Sequence, residues 1–138
     1  MSVRNIDQGF YSANMLNMLR SIQVGIESTD TALTVEFSTQ VFQNNQQITL
    51  QIPSYTHTFT ASGYVKANLP QDLWLPSSTT IYTFPIIINV NTTSTVALLI
   101  LNVATGEINI FSNATATDFT SGQTVAWSSP ISITYILS

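Results

Sequence analysis

After Thr31 the apolar side chains recur at every second residue, and no other feature of the sequence restricts its fold as tightly. Leu33, Val35, Phe37, Thr39 and Val41 fall on one side of an extended chain, and Thr34, Glu36, Ser38 and Gln40 on the other. This period of two belongs to a half-buried antiparallel strand. Asn44-Asn45 supplies a turn, because asparagine tolerates left-handed backbone geometry. Ile48, Leu50 and Ile52 then alternate with Gln47, Thr49 and Gln51, and Pro53-Ser54 ends the run. Tyr55, His57, Phe59 and Ala61 alternate in turn with Thr56, Thr58 and Thr60, up to a break at Ser62-Gly63.

The later chain repeats the pattern. Asn68, Pro70 and Pro76 mark an ordered loop from Lys66 to Ser78, pinned by Leu69, Leu73 and Trp74. Ile81–Val90 reads as a strand with Pro85 inside it, hence an edge or bulged strand, since proline donates no ladder hydrogen bond. Ala104-Thr105-Gly106 makes a hairpin turn between Val96–Val103 and a return strand carrying Ile108 and Ile110. Ile131, Ile133, Tyr135 and Leu137 form a last strand. About eight short strands with turns between them predict an all-β, antiparallel, jelly-roll-like β-sandwich.

The first residues behave differently. Met15, Leu16, Met18, Leu19 and Ile22 lie at near-helical spacing behind Ser12, an N-cap candidate. Residues 1–31 are therefore expected to be a short helix or an arm, and residues 32–138 the sandwich.

The 138-residue chain carries 7% charged residues, where roughly a quarter is usual. Ser, Thr, Asn and Gln must meet the water, giving a neutral surface suited to packing against copies of itself or a larger particle. The net charge is −4, and the basic residues are Arg4, Arg20 and Lys66. Nucleic acid needs clustered cations and is not an expected partner; adhesion to an anionic membrane is not expected either. No apolar run approaches the ~18 residues that span a bilayer, so membrane insertion is not expected, and the first residues do not read as a signal peptide.

Catalysis is not expected. His57 stands alone in a Tyr-x-His-x-Phe alternation, with no nucleophile elbow in the chain, and reads as a packed or surface strand histidine. The carboxylates form no recognisable facing pair. Glu27 and Asp30 lack an Asp-x-Asp-x-Asp-Gly calcium loop around them, and there is no cysteine for a thiolate metal site. No cofactor or metal is expected. Asn91-Thr92-Thr93 and Asn113-Ala114-Thr115 match the glycosylation pattern and read as chance occurrences in an Asn- and Thr-rich chain. Binding candidates are the loop aromatics Tyr55, Tyr64, Trp74 and Trp127, since such rings stack on sugars or fill a partner's pocket.

The run Val96-Ala97-Leu98-Leu99-Ile100-Leu101 is apolar on both faces. A sandwich covers only one face of a strand, so another subunit is expected on the other. Val96, Leu98, Leu99 and Leu101 are the expected interface residues.

The second half also resembles the C-terminal head domains of phage tail fibres and related viral attachment proteins. The resemblance runs from Leu69-Pro70-Gln71-Asp72-Leu73 through Pro76-Ser77-Ser78 and Tyr82–Pro85. It continues at Gly106-Glu107-Ile108-Asn109-Ile110-Phe111, Phe119-Thr120-Ser121-Gly122 and Val125-Ala126-Trp127, and closes on Ile131-Ser132-Ile133-Thr134-Tyr135. It covers roughly residues 33 to 138. Trp74-Leu75 stands where related heads carry an arginine. The resemblance implies a trimeric jelly roll similar to C1q- and tumour-necrosis-factor-like heads. It also implies a viral structural protein on the virion surface, which meets a host receptor or glycan, or decorates the capsid beside other virion proteins. A cellular C1q- or tumour-necrosis-factor-like binding module is the alternative.

Overall fold

The computed structural model describes residues 17–138. These form β1 (Asn17–Ser28), β2 (Val35–Asn44), β3 (Gln47–Ile52), β4 (Tyr55–Thr58) and β5 (Val65–Asn68). A single 3₁₀ turn, Gln71–Leu73, separates them from β6 (Ile81–Val90), β7 (Thr93–Asn102), β8 (Glu107–Phe111), β9 (Thr124–Trp127) and β10 (Ile131–Ile136). All pairings are antiparallel, in one sheet of order β10-β3-β2-β1-β5-β8-β7-β6-β9-β4.

The sheet curls until its two ends meet its middle. At one end the Tyr82 and Tyr135 rings lie 6.2 Å apart, and the Ile136 amide donates to the Tyr82 hydroxyl at 3.1 Å, bringing β10 against β6. At the other, Tyr55 of β4 meets Phe37 of β2 edge-on at 6.4 Å and Ser28 of β1 at 2.9 Å. The result is a sandwich-like, two-layered body, and the all-β expectation holds. Between the layers lie Ile22, Val24, Ile26, Val41, Ile48, Leu50, Leu99, Leu101, Ile108 and Phe119, all buried. The Tyr135 hydroxyl donates to the Leu73 carbonyl at 2.7 Å in this core, which fixes the long loop after β5. Burial pushes the Tyr135 phenol pKa well up, with Asp72 adding to the effect and Arg20 opposing it.

The expected helix is a strand wherever residues 17–22 are described. A spacing of four returns a side chain to the same side of a strand as well as of a helix, so Met18 and Ile22 fit both periods. Leu19 belongs to the other face, where it is 62% exposed opposite Phe42. Val24 and Ile26 continue the alternation into the core. β1 sits between β2 and β5, so the boundary expected after residue 31 does not separate an arm from the sheet. What remains of the arm, residues 1–16 with the Ser12 cap, lies outside the described residues. β5 and β9 are the other strands the alternation does not reveal; each is four residues long, β5 overlapping the start of the expected loop and β9 lying just before the last expected strand.

Other local expectations have direct counterparts. Asn45 takes φ 61° in the β2–β3 turn and Gly106 takes φ 71° in the β7–β8 turn. Pro85 lies in the part of β6 that pairs only with β7, because β9 pairs with β6 only at Asn89 and Val90. Its missing N–H therefore faces no ladder partner.

Two of the expected interface residues are in the wrong layer. The register pairs Leu99 with Phe84 and Ile110, and Leu101 with Tyr82 and Ile108, which turns both inward to zero exposure. They are core residues of the single chain. Val96 and Leu98 have the opposite parity. Val96 is 50% exposed across from Ile87, itself 62% exposed, and half-buried Leu98 lies between Pro85 and Phe111. The outer face of β6, β7 and β8 is thus an open apolar stripe.

Candidate functional site

The four loop aromatics do not form one site. Trp74 lies over the β7–β8 hairpin, so close that a side chain on Gly106 would overlap its ring. Tyr64 packs on Phe111 at 5.1 Å and extends the outer stripe. Only Tyr55 and Trp127 meet, as cross-strand partners of β4 and β9 with ring centroids 5.6 Å apart.

Around that pair the surface is hollowed. The β3–β4 corner at Pro53-Ser54 and the β9–β10 loop at Ser128-Ser129-Pro130 come together, and the Trp127 indole N–H donates to the Pro53 carbonyl at 2.7 Å. One depression of about 510 Å³ is lined by Val35, Phe37, Ser54, Tyr55, Thr56, Trp127 and Ser128. A second of about 420 Å³ shares Ser54 and extends along Ser38, Thr39, Gln40, Gln51, Pro53 and Pro130. A smaller hollow of about 170 Å³ continues past Trp127 and Ser128 to Asn89. The floor is built in: Trp127 is 4% exposed, and the Thr39 hydroxyl donates to the Gln51 carbonyl at 2.6 Å. Trp127 is therefore a support, while the half-buried rings of Phe37 and Tyr55 are the aromatic lining.

Phe37, Ser54 and Ser128 are site residues that sequence reasoning misses. The hollow joins distant segments (the 2.7 Å Trp127–Pro53 bond spans 74 positions), so no local pattern marks it. The one available signal is the pair of Pro/Ser strand breaks at Pro53-Ser54 and Ser128-Ser129-Pro130.

Beneath β4 sits the one ionic contact of His57. Its Nε2 lies 2.9 Å from Oδ1 of Asp30, in the β1–β2 turn, and must donate because an ionised carboxylate only accepts. The Thr60 amide and hydroxyl donate to the same carboxylate at 2.8 and 3.1 Å, and the Asp30 side chain is fully covered. Burial acts to raise the Asp30 pKa, but the Thr60 amide, His57 and the Thr60 hydroxyl together outweigh it and hold the carboxyl below its ordinary 3.8. His57 also packs edge-on against Phe59 at 4.8 Å. The pair ties the edge strand β4 to the β1–β2 turn, a structural clasp.

Its pH dependence has a definite sign. A folded-state pKa below the unfolded one contributes stability that is complete above pH 3.8 and lost as pH falls through the lower folded value. Urea midpoints of the wild type should therefore fall more steeply below about pH 4 than those of Asp30→Asn. Parallel pH profiles for the two proteins would remove this role from Asp30.

The Tyr55 phenol pKa is raised, first by burial and then by the nearby charges of Asp30 and Glu27, against a lowering hydrogen bond from Ser28. Among the described residues no group of three or more His, Asp or Glu side chains is placed to hold a metal ion, and no helix is long and apolar enough to cross a membrane.

No family model and no curated protein matches the chain. Among solved structures it is similar to the crystal structure of a reovirus attachment protein, sigma1, in complex with alpha-2,3-sialyllactose, with a TM-score of 0.45 and 18% identity. The alignment covers 86% of this chain and 66% of the other, so this chain spans just under two thirds of that chain's length.

Proposed function

We propose that the chain is a non-enzymatic head domain displayed on the surface of a virus particle, where it assembles as a homotrimer and attaches to a host receptor or glycan. The observation that carries the reading is the open stripe on β6, β7 and β8. Ile87 and Val96 are 62% and 50% exposed there beside Pro85, Leu98 and Phe111, and Ile81, 61% exposed, lies at the far end beyond the row of Thr83, Ile100 and Asn109. Soluble monomers rarely leave such a contiguous apolar face open. Closed cyclic symmetry covers the same strands in every copy without an open-ended contact. The resemblance to viral heads favours three copies over two and the particle surface over the cell.

The shortage of charge fits the same reading. A surface of Ser, Thr, Asn and Gln does not repel its neighbours and offers hydrogen bonds on every side. Much of the outer face of β1, β2, β3 and β10 has this character, although Leu19 and Phe42 meet on it 62% and 43% exposed. Thr49 pairs with Thr134 at 3.1 Å and Gln23 with Ser38 at 2.7 Å, and Glu36 is the one charge on the β2 side of that face.

The test uses purified particles. Antibody raised against the chain should label intact particles, and excess soluble chain should slow their adsorption to host cells. Particles that carry no label, or adsorption unaffected by a saturating excess, would contradict the reading.

A further inference from the structure

We propose that the hollow at the Pro53–Ser54 corner is a binding site for an uncharged carbohydrate chain. The inference rests on the attachment reading and names the ligand class and the place.

A sugar ring presents a patch of C–H groups on one face and a rim of hydroxyls that both donate and accept. The hollow offers both complements side by side. Half-buried Phe37 and Tyr55 with 44% exposed Val35 form an apolar shelf. Ser54, Thr56 and Ser128 stand exposed around it, and Gln40 and Gln51 continue the rim into the adjoining depression. Side-chain hydroxyls and amides are the groups that exchange hydrogen bonds in both directions without a net charge. The two depressions share Ser54 and so adjoin one another. Its floor does not have to be organised on binding, because the Trp127–Pro53 and Thr39–Gln51 hydrogen bonds already hold it. Preorganisation of this kind lowers the cost of taking a ligand.

The electrostatics choose the kind of sugar. Among the described residues no carboxylate lines the trough, and neither the described lysine nor the described arginine lines it. Arg20 pairs with Asp72 at 2.7 Å, and Lys66 lies on β5 opposite Glu27 and Asn109. The charges that reach the Tyr55 ring are those of Asp30 and Glu27, both negative. A carboxylated or sulfated sugar would therefore find no cation in the trough to pair with its charge, whereas a neutral one needs none. A protein partner fits the hollow less well, because the anchors of protein interfaces are apolar and aromatic side chains filling dry pockets, and this rim is hydroxyl-lined. The open apolar face lies on β6 to β8 instead.

The full chain is applied to an array of neutral and sialylated oligosaccharides, and the strongest neutral ligand is titrated by calorimetry. Neutral structures should bind, and terminal sialylation of the same structure should weaken binding. Ser54→Trp and Ser128→Trp fill the trough from exposed positions and should each weaken binding by at least about tenfold, equivalent to ~1.4 kcal/mol. Circular dichroism and sedimentation of the variants verify that fold and assembly are retained; a variant that fails either is replaced by Thr56→Arg, read the same way. Binding that requires a sialic acid, binding unchanged in the filled variants, or no binding to any sugar would overturn the proposal. A silent array combined with adsorption that the soluble chain still blocks would leave the attachment reading standing and remove only the sugar. Adsorption that is not blocked removes the attachment reading itself.

Discussion

Leu99→Ala is expected to lower the unfolding free energy by about 3 to 4 kcal/mol, while Val96→Ala three residues earlier changes the isolated chain by less than about 1 kcal/mol. The two residues share a strand and an apolar character. Leu99 has no exposure and sits between Phe84 and Ile110, so truncation leaves a cavity that its rigid neighbours cannot fill. Val96 is half exposed, so little changes when it shrinks. Urea denaturation of the two variants under dissociating dilution reads the difference. Equal losses would mean that the faces of β7 are not assigned correctly, and with them the outer stripe.

Gly106→Val should cost about 3 kcal/mol by a different route, combining backbone strain with overpacking. Gly106 holds φ at 71°, where a β-branched side chain is strained. A Cβ there would also overlap Cδ1 of Trp74, forcing that ring off the hairpin. The Gly106 carbonyl accepts from the Leu69 amide at 2.9 Å, and the Leu75 amide donates to the Val103 carbonyl at 2.8 Å. A shifted turn therefore disturbs both ends of the loop that carries Leu73 into the core. A fall in melting temperature with reduced tryptophan near-UV dichroism is the expected signature. Gly106→Ala should be affected less, though it still meets the same ring. A Val variant as stable as the wild type would show that the Trp74 contact does not constrain the turn.

What is legible in the sequence is what is local. β3 and β10 alternate strictly, with one face buried and one wet, and β2 does so from Phe37 to Val41, so their period is legible. The Asn44-Asn45 and Ala104-Thr105-Gly106 turns use residues suited to their backbone geometry, and they fall where expected. β1 is ambiguous because Met18 and Ile22 satisfy both periods; the β-branched Val24 and Ile26 beyond them decide for the strand. The β7 run shows that two covers are needed, but not which parity faces inward, because both faces are aliphatic. Only its register with Phe84 and Ile110 makes Leu99 a core residue. The binding residues are the least legible. Tyr55 and Trp127 stand out as aromatics near loops, yet their meeting depends on the β4–β9 pairing between segments far apart in the chain. Ser54 and Ser128 carry no signal of their own until the sheet curls and brings the two corners together.

If copies of the same chain cover the outer stripe of β6, β7 and β8, the most direct measurement of it is mass in solution. Multi-angle light scattering of the unmodified protein should give three times the 15.1 kDa of one chain. Ile87→Asp combined with Val96→Asp should return a folded species of 15.1 kDa with an unchanged strand-rich circular dichroism spectrum. An unmodified protein that stays at 15.1 kDa at every concentration up to its solubility limit would contradict the account.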